Sequence, residues 1–313
     1  MTIAFIFPGQ GSQAPGMGKA LHDAFGPARE VFQEVDDALG EKLSKLIFEG
    51  PEDRLTLTAN AQPALMAVSL AVIRALEREF GVAVTKASYV AGHSLGEYSA
   101  LAAAGALSVT DAARLLRTRG DAMQAAAPVG AGAMAALIGK VDLAKAEEIA
   151  EAGSSAGIVV VANDNNVGNV VISGEKAAVD TAIAAAKEKG VRAVPLSVSA
   201  PFHSPLMQPA AEAMAAALAN TTIAPLAVPL VANVTAAPVA APAEIRRLLV
   251  EQVTGRVRWR ESIEWMAGPG GVARFVETGA GKQLSGMVKR NAPDAEAMAL
   301  NEPGDLEAFA KSV

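Results

Sequence analysis

A serine stands at the centre of Gly92-His93-Ser94-Leu95-Gly96. Before it lies a short β-prone run, Tyr89 to Ala91, and after it a stretch of small residues, Leu95 to Ala104, that reads as helix. Strand, sharp turn and helix are the setting of a nucleophile elbow. The glycines permit the turn, which holds the Ser94 hydroxyl out at a helix N-terminus. The Leu95 backbone N–H then points to where a tetrahedral oxyanion forms. The five-residue pattern is common by itself, and its flanks are what give it weight.

Such a serine needs a base, and the chain has three histidines, His22, His93 and His203. His22 lies beside Asp23 in a helical stretch and reads as a surface residue. His93 adjoins the nucleophile, so the tight turn directs its side chain away from the Ser94 hydroxyl. His203 sits in the loop Ala200-Pro201-Phe202-His203-Ser204-Pro205. Ser204 as N-cap and Pro205 at the first helical position predict a helix beginning directly after it. The positive end of that helix disfavours imidazolium and keeps His203 neutral, as a general base requires. An acid to orient the histidine is not evident. Glu277, at a strand end, is one candidate but reads more simply as a structural or solvated carboxylate. A backbone carbonyl can hold the tautomer instead.

Arg119 belongs to a helix capped by Ser108 with Asp111 and running to about Ala125. Its polar side carries Thr110, Asp111, Arg114, Thr118 and Asp121. Arg119 falls on the other side, among Ala112, Leu115, Leu116 and Met123. An inward arginine needs an anion, supplied by a structural carboxylate or by a substrate. Periodicity alone favours the structural partner. The loop Phe7-Pro8-Gly9-Gln10-Gly11-Ser12-Gln13 is glycine-rich, and Gly9, Gly11 and Ala14 formally fit a dinucleotide fingerprint. Pro15 occupies the place where the helix would begin, and no second strand with a terminal acid follows, which excludes that reading. The Gln10 backbone can instead donate a second hydrogen bond to an oxyanion.

The elements that must position these groups are of α/β type. Thr2 to Phe7 predicts a strand, and helices follow to about Leu39 and over Pro63 to Phe80, with Asn60 as a cap. From Pro128 the order changes. Strands over 133–138, 158–162, 169–173 and 191–197 alternate with helices over 143–152 and 176–189. This β-α-β-β-α-β order is that of a ferredoxin-like unit, with one sheet face under two helices. Further strands are expected near Leu230 and over Ala273 to Glu277. The expected organisation is a discontinuous α/β core, residues 1–127 and 198–313, interrupted by a small subdomain over 128–197.

A net charge of −6 argues against a general nucleic-acid binder. The absence of cysteine removes thiolate chemistry and Cys-based metal sites, and suits a reducing cytoplasm. No metal or cofactor is expected. The apolar run Ala64 to Ile73 is far shorter than a membrane span, and the N-terminus lacks the basic start of a signal peptide.

Taken in order along the chain, several segments resemble malonyl-CoA:acyl carrier protein transacylases. They are the Phe7–Gln13 loop, Gln62-Pro63-Ala64-Leu65, the segment 92–100 (Gly-His-Ser-Leu-Gly-Glu-Tyr-Ser-Ala), and Arg119-Gly120. Asn163 with Val170–Gly174, Phe202-His203-Ser204, Gln252 and Val257-Arg258-Trp259 continue the match over nearly the whole chain. The resemblance implies a hydrolase-like α/β core with a ferredoxin-like insertion and a ping-pong transfer of malonyl from coenzyme A to acyl carrier protein in fatty acid biosynthesis. It implies Ser94 as nucleophile, His203 as base and acid, and the Gln10 and Leu95 amides as oxyanion hole. Arg119 then grips the malonyl carboxylate, and the Gln252 carbonyl orients His203. Asn163 and Gln62 join Arg119 and Gln252 as substrate-binding positions. The chain departs from the family's usual pattern at Asn163–Asn169, leaving that loop's shape open, and at Glu277–Gly281. Alternatives are a serine hydrolase (thioesterase or lipase) and an acyltransferase of malonate decarboxylase or polyketide synthesis. Phe202 favours an unbranched malonyl unit, since its bulk crowds a 2-methyl group.

Overall fold

The computed structural model describes residues 1–128 and 130–313. Among the described residues, ten strands form two sheets. In chain order they are β1 (Ile3–Phe7), β2 (Ala87–Gly92), β3 (Gly132–Ile138), β4 (Val159–Asn166), β5 (Asn169–Glu175), β6 (Arg192–Pro195), β7 (Leu230–Ala232), β8 (Ala237–Val239), β9 (Arg274–Thr278) and β10 (Glu296–Leu300). The first sheet has the order β10-β9-β1-β2-β7-β8 and is parallel except for the β7–β8 pair. Its central strand β1 reads Ile-Ala-Phe-Ile-Phe with every residue buried, the unbroken apolar run of a strand covered on both faces. Ile3, Phe5 and Phe7 enter the large core, while Ala4 and Ile6 face Trp259, Phe275 and Val288 on the other side.

Beside the sheet the helix Thr58–Phe80 runs through the core. It is long and apolar enough to cross a membrane, but 83% of its apolar window is buried inside the protein. It begins two residues before Asn60, so Asn60 is not its cap. The Asn60 side chain donates to the Arg54 carbonyl instead, and Pro63 lies inside the helix. The helix Val109–Ala125 crosses it at Gly120, where an added Cβ would come within 2.5 Å of the Ala59 Cα. That close approach brings the neighbouring Arg119 into the core.

The second sheet has the order β4-β5-β3-β6 with antiparallel neighbours. Ala135, Leu137, Val170 and Ile172 are buried in a cluster with the helices Leu143–Gly153 and Lys176–Glu188. The alternate residues Met134, Ala136 and Val171 face the other way, into the large core and the cleft. β4 extends four residues past its expected end and returns through Val167-Gly168 into β5, with Gly168 at φ 90°. Asn and Asp depress β propensity, yet partners elsewhere in the fold compensate here. Asp164 pairs with Arg260 at 2.8 Å, and its N–H donates to the Val257 carbonyl at 2.9 Å.

Candidate active site

The parallel strands β1 and β2 end side by side, Phe7 opposite Gly92, and Ser94 sits just beyond. Its φ is 53°, a left-handed conformation that costs a non-glycine residue free energy and collects at functional turns. Neither flanking glycine has room for a side chain. A Cβ on Gly92 would lie 1.8 Å from the Gly96 carbonyl carbon, and one on Gly96 would lie 2.3 Å from the Phe7 oxygen. Asn233, at the end of β7, clamps the turn. Its Oδ1 accepts from the Ser94 N–H at 2.8 Å, and its Nδ2 donates to the Gly92 carbonyl at 2.7 Å.

The Ser94 hydroxyl lies 2.8 Å from His203 Nε2. On the far side of the ring, Nδ1 donates toward the carbonyls of Gln252 at 2.9 Å and Gly255 at 3.1 Å. Carbonyls only accept, so Nδ1 carries the proton and Nε2 is left to receive the one on Ser94. Burial, and next the charge of Arg119, depress the His203 pKa to about 3. The cause differs from the helix end expected above. Ser204 donates to the Pro201 carbonyl rather than capping, and a 3₁₀ turn, Pro205–Met207, precedes the helix Gln208–Ala219.

Stability should report this depression. The unfolded imidazole takes a proton near pH 6.5, whereas the folded one refuses it until about pH 3. Stability of this origin is present above pH 6.5 and lost on acidification toward 3. At pH 5 wild type should have lost about 2 kcal/mol relative to His203→Gln. Calorimetry of both proteins at pH 7.5 and pH 5 measures it. Equal shifts would mean that His203 is protonated in the fold.

The other histidines stand apart. His93 bonds Asn165 Oδ1 through Nε2 at 2.8 Å and packs edge-on against Trp259. His22 is half-buried between Phe32 and Phe48 and bonds Asp23. Glu277 accepts from the Leu284 and Ser285 N–H groups at 3.1 and 2.7 Å, holding the start of the helix Gln283–Asn291.

Arg119 is 1% exposed, and no carboxylate pairs with it among the described residues. Nη1 donates to Gln62 Oε1 at 2.8 Å; Nη2 donates to Gln252 Oε1 at 2.9 Å and to Ser94 Oγ at 3.1 Å. Nε finds no acceptor among the described residues. The structural anion that periodicity favoured is therefore not in contact. Gln62 continues through Thr58 to the Gln10 side chain, tying the first loop to the arginine. The backbone amides of Gln10 and Leu95 engage no acceptor among the described residues. Ser94, Arg119, His203, Gln10, Gln62 and Asn163 share one cleft of about 380 Å³, with Met123, Met134 and Phe202 on its apolar wall. Gln252 is fully buried beneath them.

Two side chains, and the Gly255 carbonyl beside His203, escaped the sequence reading. Asn233 directly follows the strand expected near Leu230, at the carboxyl end where ligand-facing groups of parallel sheets collect. Glu97 is the one charged residue in the small-residue helix after the elbow. It accepts from the Asn233 N–H at 3.2 Å and from Gln252 Nε2, and burial pushes its pKa up to about 7.

The acyl transferase domain family matches residues 4–290. Among curated relatives, the malonyl CoA-acyl carrier protein transacylase of Bacillus subtilis (strain 168) is 46% identical over 97% of this chain and 95% of its own length. The acyl-carrier-protein-S-malonyltransferase structure from Bartonella henselae is 57% identical, with a TM-score of 0.97 over 100% of this chain and 99% of that one. The solved complex of a type II PKS acyl-carrier protein with its malonyl-transacylase contains a chain 40% identical to this one, with a TM-score of 0.95 over 100% of both chains.

Proposed function

We propose, from the premise that the chain belongs to the acyl transferase family and groups there with malonyl-CoA:acyl carrier protein transacylases, that it moves malonyl from coenzyme A to the phosphopantetheine thiol of acyl carrier protein in fatty acid biosynthesis. The observation that carries this reading is a serine–histidine pair beside a buried guanidinium that has no carboxylate partner among the described residues. Ser94 Oγ attacks the thioester carbonyl while its proton passes to His203 Nε2. The Gln10 and Leu95 amides receive the oxyanion, and Gln252 and Gly255 hold the imidazolium through Nδ1. The C–S bond then breaks, His203 returns the proton to the coenzyme A sulfur, and a malonyl ester remains on Ser94. In the second half the carrier thiol gives its proton to His203, attacks the ester and regenerates the Ser94 hydroxyl.

Arg119 binds the malonyl carboxylate, Gln62 and Gln252 fix the arginine, and Asn163 lines the same cleft. A serine hydrolase acting on neutral acyl chains would leave that cation unmatched. Phe202 on the cleft wall supports an unbranched malonyl unit. The organisation proposed is a core of 1–127 and 198–313 with a subdomain over 128–197, supported by the separate antiparallel sheet and its own apolar cluster. The lack of cysteine accords with a cytoplasmic location. Mixing the enzyme with malonyl-CoA and phosphopantetheinylated carrier tests the function. Malonyl-carrier should form faster than free malonate; faster release of malonate would identify a hydrolase instead.

Carrier docking depends on local cations, because an acidic carrier meets an enzyme of net charge −6. Arg256, Arg258 and Arg260 are spent on Glu147, Glu261, Asp164 and Glu264. Lys282, Lys289 and Arg290 are exposed and form no carboxylate pair among the described residues. Lys282 directly precedes the helix Gln283–Asn291 and Lys289 and Arg290 lie in its last turn, while Gln283, Leu284 and Met287 of the same helix line the cleft. Reversing these three charges should raise the KM for carrier severalfold with strong salt dependence, leaving acylation by malonyl-CoA unchanged. A fall in acylation would mean that they serve coenzyme A phosphates or the structure instead.

A further inference from the structure

Arg119 touches the proposed nucleophile itself. Its Nη2 donates to Ser94 Oγ at 3.1 Å while the hydroxyl faces His203 Nε2 at 2.8 Å. We infer that Arg119 restrains Ser94 while the cleft lacks a carboxylate, and that a carboxylate taking the guanidinium releases it. The arginine then selects acyl groups by reactivity as well as by affinity. This rests on the reading of Ser94 and His203 as nucleophile and base.

Two physical effects act together. As Oγ bonds to a carbonyl carbon, its electron density moves toward the carbonyl oxygen. A hydrogen bond donated into Oγ by a cation is therefore stronger in the resting state than in the transition state, which raises the barrier. The same step places a proton on His203, beside a buried guanidinium that opposes it, and Arg119 is the largest nearby charge acting on that imidazole. Burial leaves little water to screen either effect. Gln62 and Gln252 are neutral, so neither cancels the charge, and Glu97 is held one amide away behind Gln252. A malonyl carboxylate on Arg119 supplies the missing anion. It competes for Nη2 and lets the imidazolium form next to a neutralised pair. Acetyl groups bring no anion and meet the serine still restrained.

A neutral activated ester separates this effect from substrate binding. With p-nitrophenyl acetate, Ser94 Oγ gains the acetyl, the bond to p-nitrophenolate breaks, and the serine proton leaves through His203. Acetylation is followed by the nitrophenolate burst and by intact mass. Formate, small enough to sit on the guanidinium beside an acetyl group, is the added carboxylate, with chloride as the ionic-strength control. Formate should accelerate wild-type acetylation on the order of 10- to 100-fold, the range for a hydrogen bond to a charged group. Arg119→Gln should be faster than wild type without formate and should not respond to it. A wild-type rate that formate leaves unchanged or lowers overturns the inference, and this arm needs no substitution. Malonyl-CoA given to the same wild-type sample is the separate check. Absence of a malonyl ester there would refute the proposed function, whereas the formate response judges the restraint alone.

Discussion

Replacing His203 by alanine is expected to slow malonyl transfer by roughly 10²- to 10⁴-fold, the usual worth of a positioned general base. The histidine is the one imidazole within reach of Ser94, at 2.8 Å, and its tautomer is fixed by two carbonyls that can only accept. His22→Ala and His93→Ala serve as comparisons. His22 bonds Asp23 between two phenylalanines, and His93 bonds Asn165. Neither lies on the proton path, and His22→Ala should be near neutral. Both half-reactions should slow together in His203→Ala, because in the proposed mechanism the same nitrogen takes the serine proton in the first and the carrier thiol proton in the second. Stopped-flow release of coenzyme A and loading of carrier report the two halves. Loss confined to one half would mean that a different group acts in the other.

Arg119→Ala should invert the preference of the enzyme. A bidentate guanidinium–carboxylate pair in a buried site is strong and directional. Leaving one member of such a pair unmatched costs roughly 3–5 kcal/mol, which corresponds to a loss of about 10²- to 10⁴-fold in malonyl kcat/KM. Acetyl-CoA never makes that pair, so its transfer should fall little or rise. Arg119→Lys should recover only part of the malonyl activity, because a point charge cannot engage Gln62, Gln252 and a carboxylate together as the fork does. The ratio of malonyl to acetyl specificity constants in folded variants is the measure. An unchanged ratio would make Arg119 a structural group and remove the physical reason for a carboxylated substrate.

Much of this site could be read from local chemistry. The elbow announced itself because its glycines are required by contacts the chain makes within five residues and with the adjoining strand. The inward position of Arg119 followed from helical periodicity. Its partner did not, since Gln62 and Gln252 lie 57 and 133 residues away and an amide carries no charge to suggest pairing. Asn233 was hidden for a similar reason. A single asparagine after a strand is ordinary until β7 is laid beside β2 and its side chain meets the turn. The helix expected right after His203 failed on a detail of capping: the Ser204 hydroxyl found the Pro201 carbonyl and left the first turn to tighten into 3₁₀ geometry. The alternating pattern from residue 133 to 197 carried the order of strands and helices around the second sheet. The extension of β4 through Asn166 depended on Arg260 and Val257, which pattern alone cannot bring near.

The central claim is that the malonyl group passes through an ester on Ser94, and intact mass after mixing with malonyl-CoA in the absence of carrier tests it most directly. Wild type should gain one malonyl unit, located by peptide mapping on Ser94, and should lose it when carrier is added, with malonyl appearing on the carrier. Ser94→Ala, correctly folded, should gain none. A malonyl unit that persists in Ser94→Ala at another specific residue, or carrier loading by that variant at the wild-type rate, would contradict the account.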